Sequence, residues 1–309
     1  MTHDRLSVIA ENLSALSSEA SSVIERRIAH IYGLARAFAG GVLSDALRSE
    51  YAKLLEIIER PEQNSPVPEH FVRLSSRADR IALCGFIYEN LGGQPAPPSA
   101  EKLLGCTQPE GEGDMPNRIC YLHNYFSDKA YNVFAEALEN PTVTYATDFT
   151  GVCEDVYYGR AKYCILPVES SADGMLSGFR TLVGKYELNY SLTCDIHTQD
   201  GEDFTRFALL HRGIVPPPGA ASGERVFEFS ASFDDGGATL GDVIDAAEAY
   251  GLKLRHVSLL PASYSGRSGM YDLAFSYEEK GLPEFIVFLS LEVPQFEALG
   301  LYTHLGGSD

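Results

Sequence analysis

Six cysteines carry the most reactive side chains of this chain, and their spacing argues against the common assemblies thiols build. Cys84, Cys106, Cys120, Cys153, Cys164 and Cys194 are scattered, with no CxxC pair and no zinc-like spacing. They read as free, buried thiols in a reducing, cytoplasmic compartment, with no metal or redox cofactor implied. Charge narrows the chemistry further. The chain has 43 Asp and Glu against 24 Lys and Arg, a net charge of −19. Such a surface repels phosphate backbones, and no Lys/Arg cluster offsets it, so nucleic acid is not an expected partner. An anionic substrate must then be met locally, by individual arginines or helix N-termini.

These groups need a frame. A length of 309 residues suits two or three domains, and 45% apolar residues with 17 tyrosines and 16 phenylalanines fill folded cores. Residues 5 to 38 read as one long helix, with Leu6, Ile9, Leu13, Leu16, Ala20, Ile24, Ile28, Ile31 and Leu34 at three- and four-residue steps, ended by Gly40-Gly41. Ser44 caps a second helix with a Leu47, Tyr51, Leu54, Leu55, Ile58 stripe, and a third is expected from Ser75 to Leu91. Three helices without strands give an all-α bundle over residues 1–95, completed by a partner subunit because its first helix is so long. Residues 96–117 have linker composition.

From Arg118 the rhythm changes to β-α-β-α-β, the pattern of a parallel sheet, and further strands are expected over 188–197 and 205–211. Pro216-Pro217-Pro218 closes this α/β domain (118–215) and leads into a hinge. Residues 224–305 repeat β-α-β-β-α-β, which gives a ferredoxin-like sandwich, although 282–291 is apolar enough to be helix or strand. The start, MTHDRLSV, lacks a signal peptide's basic and apolar regions, and no window approaches 18 apolar residues, so neither export nor membrane insertion is expected.

Three short runs inside this frame resemble the prephenate dehydratase family. The stretch YCILPVESSADG (Tyr163–Gly174) is similar to its PIENS signature through Pro167, Val168, Glu169, Ser170, Ser171 and Gly174, with Ser170 where the family has Asn. YLHNYFSDKAY resembles the first strand and turn; Phe126 and Ser127 match, whereas His123 and Asn124 replace the glycines and proline. Thr205-Arg206-Phe207 matches the TRF motif. The resemblance implies a periplasmic-binding-protein-like α/β fold that removes carbon dioxide and a hydroxide equivalent from prephenate. Thr205 would be the catalytic donor, with Ser127, Glu169, Ser170, Ser171 and Arg206 binding substrate. A threonine hydroxyl is a poor acid, so positioning in a closed cleft must supply much of the rate. Only 33 residues, 172 to 204, separate the two motifs. That is room for a helix and one or two strands, so the domain is expected to be a shortened version without the second lobe.

The helical bundle resembles the chorismate mutase that often precedes such dehydratases. On that pattern Arg27, Arg48 and Gln94 are catalytic, while Arg36 and Asp45 bind substrate. The departures are Ala10 for the first-helix arginine and Ser49 for a glutamate. The last domain resembles an ACT domain. Gly237-Ala238-Thr239-Leu240 is similar to its GALV turn, which would bind an amino-acid effector, and Leu299-Gly300-Leu301-Tyr302 to LGSY, while Leu259-Leu260-Pro261-Ala262 stands in place of the polar ESRP. The whole implies a divergent bifunctional chorismate mutase/prephenate dehydratase of phenylalanine biosynthesis, acting on chorismate or prephenate as a homodimer or tetramer. The alternative is a non-catalytic regulatory or small-molecule-binding protein built from the same parts.

Overall fold

The computed structural model describes residues 2–35, 44–58, 69–91, 96–106, 116–219, 221–233, 237–260, 269–278, 280–293 and 295–306. The chain divides into two compact units, Met1–Pro98 and Ser99–Asp309. The described part of the first unit is helical: α1 (Thr2–Ala35), α2 (Asp45–Ile58) and α3 (Glu69–Asn90). Ser44 caps α2 as its position predicts, its hydroxyl accepting from Leu47 N at 3.3 Å. Leu47 and Tyr51 of α2 are buried, as are Leu83, Cys84 and Ile87 of α3, and Tyr51 Oη lies 3.5 Å from Cys84 Sγ. The third helix begins six residues before the expected Ser75, because no glycine or proline follows Pro68 to delay it. On α1 the expected stripe residues Ile9, Leu13 and Leu16 stay exposed in the single chain.

The second unit starts with a short helix, α4 (Ala100–Leu103), inside the expected linker; Ser99 caps it. There follow β1 (Arg118–Leu122), α5 (Tyr125–Glu136), β2 (Thr142–Ala146), α6 (Phe149–Tyr157), β3 (Tyr163–Ser170), β4 (Gly174–Met175), α7 (Ser177–Lys185), β5 (Leu188–His197) and β6 (Phe204–Arg212). Then come β7 (Glu224–Ser232), α8 (Leu240–Ala249), β8 (Lys253–Leu259), β9 (Met270–Ser276), α9 (Leu282–Glu292) and β10 (Glu297–Leu305). The ambiguous run at 282–291 is helix. Gly281 enters it in the left-handed region, Pro283 sits in its first turn, and most of its residues are buried, so an apolar helix surrounded by core explains the missing periodicity.

The described strands form one sheet in the order β2-β1-β3-β6-β5-β10-β7-β9-β8, with β4 paired to β3. β1 runs parallel to β2 and β3, as the β-α-β-α-β rhythm predicts. The last strand, β10, pairs parallel with β5 and antiparallel with β7. The expected hinge at Pro216–Pro218 thus lies within one compact unit, and the strands before and after it share a sheet. Gly300 makes this junction close: a Cβ there would stand 2.6 Å from the Tyr190 carbonyl oxygen.

Side chains alternate across the sheet. One face packs Cys120, Cys164, Leu166, Ala208, Val226 and Ala274 against Val152 and Val156 of α6 and Val183 of α7. The other packs Ile119, Ile165, Leu192, Cys194, Phe207 and Leu209 against Ala130 and Phe134 of α5. All six cysteines are free, and all but the half-buried Cys106 are buried. Burial pushes the Cys120 thiol up to about 12, reinforced by Asp155, which leaves it unreactive at neutral pH. Among the described residues, no helix is long and apolar enough to cross a membrane.

Candidate functional site

The carboxyl ends of parallel strands open onto helix N-termini, which is where α/β sheets hold ligands. Here both neighbouring N-termini are filled by the chain itself. After β1, the Asn124 amide oxygen accepts from Phe126 N at 3.1 Å and Ser127 N at 3.0 Å, and its nitrogen donates to Ser127 Oγ at 2.9 Å. Ser127 is buried. Asp128, one residue on, is bonded by Tyr121 Oη and His123 Nδ1, each at 3.0 Å. After β2, Asp148 caps α6 through Gly151 N at 2.8 Å. With Asn124 in this turn, the backbone donors an anion would use already have an internal acceptor.

Next to β1, the end of β3 lies against the start of β6. Glu169 is opposite Arg206, and Ser170 is opposite Thr205. The two signature runs, 33 residues apart in sequence, meet in register, and the residues between them form β4, α7 and β5. Alternation then separates the functional groups. Thr205, paired also with Ile196, faces the α5 side, whereas Glu169 and Arg206 face the α6/α7 side.

On that side Arg206 is clamped. Its Nε and Nη2 donate to Asp195 at 2.7 and 2.9 Å, and its Nη1 donates to Glu169 at 2.6 Å. Burial opposes its charge, but the bonds and charge of Asp195, with Glu169 behind them, raise its pKa above that of an ordinary arginine. The network continues through His304, whose Nε2 lies 3.7 Å from Asp195 and whose Nδ1 is 3.0 Å from Thr193 Oγ1. Burial, then the Arg206 charge, lowers the His304 pKa against the pull of Asp195. The hydroxyls of Ser170 and Ser171 shape the turn: Ser171 donates to Asp203 at 2.7 Å and accepts from Phe204 N, and Ser170 accepts from Asp173 N at 3.0 Å.

The structure thus pairs the strands that carry these residues but divides the side chains between two faces, Thr205 opposite Ser170 on one and Arg206 with Glu169 on the other, with Ser127 on the neighbouring strand-to-helix connection. Thr205 is half-buried, and two cavities of about 400 Å³ in this unit are lined by other residues. Of the residues expected to bind chorismate, Arg36 and Gln94 lie outside the described residues, as does the Arg27 side chain, although Arg27 falls on α1. Asp45 and Arg48 bond to each other at 3.1 Å at the exposed start of α2. Gly237 to Leu240 form the entry to α8. A Cβ on Gly237 would lie 2.7 Å from the Glu292 carbonyl oxygen, Ala238 N donates to that oxygen, and Thr239 forms a capping box with Asp242. Asp195 and His304 are participants that motif reasoning passed over. Asp195 carried a signal, an acid in a run that is otherwise almost uncharged (SLTCDIH).

No family model matches the chain, and no curated protein matches it. Solved structures do. A prephenate dehydratase from Streptococcus mutans is similar with a TM-score of 0.50 at 18% identity, over 61% of this chain and 98% of that one. A protein described as GqqA, a novel type of quorum-quenching acylase, has a TM-score of 0.45 at 20% identity, over 60% and 95%. A prephenate dehydratase from Arthrobacter aurescens in complex with L-Phe has a TM-score of 0.43 at 13% identity, over 60% and 90%. At such identities, the first of these establishes a likeness of fold.

Proposed function

We propose that the chain is a divergent bifunctional protein of phenylalanine biosynthesis, with a mutase-like helical unit and a dehydratase-derived unit that binds prephenate but dehydrates it slowly. The observation that carries this reading is the pairing of Ser170 with Thr205, where the end of β3 meets the start of β6. In that place Thr205 would donate a proton to the departing hydroxyl, and the serines would meet carboxylate oxygens. The slow step follows from what surrounds them. Asn124 occupies the α5 N-terminus, Arg206 is neutralised by two carboxylates, and no second lobe lies between the motifs to exclude water.

In the helical unit, the mutase reading places Arg27, Arg36, Arg48 and Gln94 around chorismate, because a pericyclic rearrangement needs only shape and cations near the ether oxygen. The ACT-like reading of the last strands is supported by their β-α-β-β-α-β order, and the α1 stripe would pair subunits. A second reading, a non-catalytic small-molecule-binding protein, is favoured by the neutralised Arg206. Incubation with chorismate, following prephenate and phenylpyruvate separately, decides between them. Prephenate is expected to form and to be lost in Arg27→Ala; phenylpyruvate is expected to form slowly and to fall about 10²-fold in Thr205→Ala. Formation of neither product leaves the second reading standing.

A further inference from the structure

The sheet ends in two edge strands, and their chemistry differs. At one edge β8 carries Lys253, Arg255 and His256, and its register with β9 shifts between Leu254 and His256. Charges and a bulge on an edge strand are what keep sheets from joining edge to edge. At the other edge β2 has neither. Its register with β1 runs unbroken from Thr142 to Ala146, and from Asn140 to Thr147 the chain carries no charged residue. With a net charge of −19, two copies of this chain repel each other over much of their surface, and this edge is exempt.

The backbone of β2 fixes which groups face outward. Thr142 N donates to Asn117 O at 3.0 Å, toward β1. Alternation turns Thr144 and Ala146 inward as well, and points the N–H and C=O of Val143 and Tyr145 away from the sheet. Among the described residues nothing bonds to those outward groups. The side chains of Val143 and Tyr145 stand on the α5 face, 37% and 54% exposed, and the Tyr145 ring is held edge-on to Tyr121 at 5.2 Å. We propose that β2 pairs antiparallel with β2 of a second copy of this chain, about a two-fold axis at Thr144. That register is self-complementary. It sets Val143 opposite Tyr145 of the partner subunit, so their outward N–H and C=O groups bond to each other and the exposed valine covers the exposed tyrosine, twice by symmetry. An axis at Val143 would instead oppose Tyr145 with Pro141 of the partner subunit, which has no N–H to give. This contact is independent of the α1 stripe, which belongs to the other compact unit.

The test is cross-linking and light scattering on the full chain. At the axis, Thr144 meets Thr144 of the partner subunit as a non-hydrogen-bonded pair with about 4.5 Å between Cα atoms, within reach of a disulfide. Thr144→Cys is expected to form a covalent dimer on oxidation with diamide. Thr142→Cys, which the same register places opposite Ala146 of the partner subunit, should stay at the parent's level. Val143→Lys and Val143→Pro should each lower the molar mass of the parent assembly by about half. The proline removes only an outward N–H, so it spares the bonds to β1. Leu13→Glu on α1 should leave the Thr144→Cys cross-link intact, which reads this contact apart from any pairing through α1. A parent of monomer mass, a mass unchanged in both folded Val143 variants, or Thr144→Cys cross-linking no better than Thr142→Cys would overturn the proposal.

Discussion

Arg206 shows how a motif residue can be retained in place and yet committed elsewhere. Its three bonds to Asp195 and Glu169 tie β6 to both neighbouring strands. Arg206→Met leaves two half-buried carboxylates facing each other without a cation, and is expected to lower stability by about 2–3 kcal/mol in urea unfolding. Glu228 offers a pH test. Burial, opposed by the His256 charge but aided by Asp272, raises its pKa, and Tyr302 Oη donates to it at 2.7 Å. A raised carboxyl binds its proton more tightly in the folded state. Its contribution is complete below the ordinary glutamate range and is lost as pH rises through the raised value. Glu228→Gln should therefore melt above the parent at neutral pH, with the difference closing as pH falls toward about 4. Two short motifs drew Glu169, Ser170, Thr205 and Arg206 to attention, and in the structure their strands pair, Ser170 with Thr205 and Glu169 with Arg206. Neither motif could mark Asp195 or His304 as Arg206's company, because strand register and the β5–β10 junction decide that.

At the scale of elements, the helix entries carry the argument. Asn124 caps α5 in a place where the resembled family has an open glycine turn. Asn124→Ala should cost about 1 kcal/mol, and Asn124→Gly only a few tenths. The glycine variant also uncovers the α5 donors, so it should bind inorganic phosphate more tightly than the parent in calorimetry. The elements themselves were largely legible, since periodicity gave α2, α6, α8 and most of the succession of strands along both halves. Among those that were not, α4 lies inside a stretch read as linker. The start of α3 at Glu69 lies beyond the apolar stripe that revealed the rest of it. The helix α9 is buried on nearly all sides, and such a segment has no polar face to betray its period.

For the whole molecule, the continuous sheet is the feature sequence could least foresee. It depends on β10 returning beside β5, more than 100 residues away, and edge-to-edge pairing leaves no local pattern. The Arg180–Asp272 pair reinforces the same junction from the α6/α7 face. Arg180→Met alone should destabilise the chain by about 3–5 kcal/mol by stranding a buried carboxylate, while Arg180→Met with Asp272→Leu should recover most of that. What function this sheet serves rests on the Ser170–Thr205 pairing. The most direct measurement is calorimetric titration of the full chain and of Thr205→Val with prephenate. Saturable binding by the parent, weakened about tenfold or more in the variant, is the predicted result; equal binding by both, or none by the parent, would contradict the account.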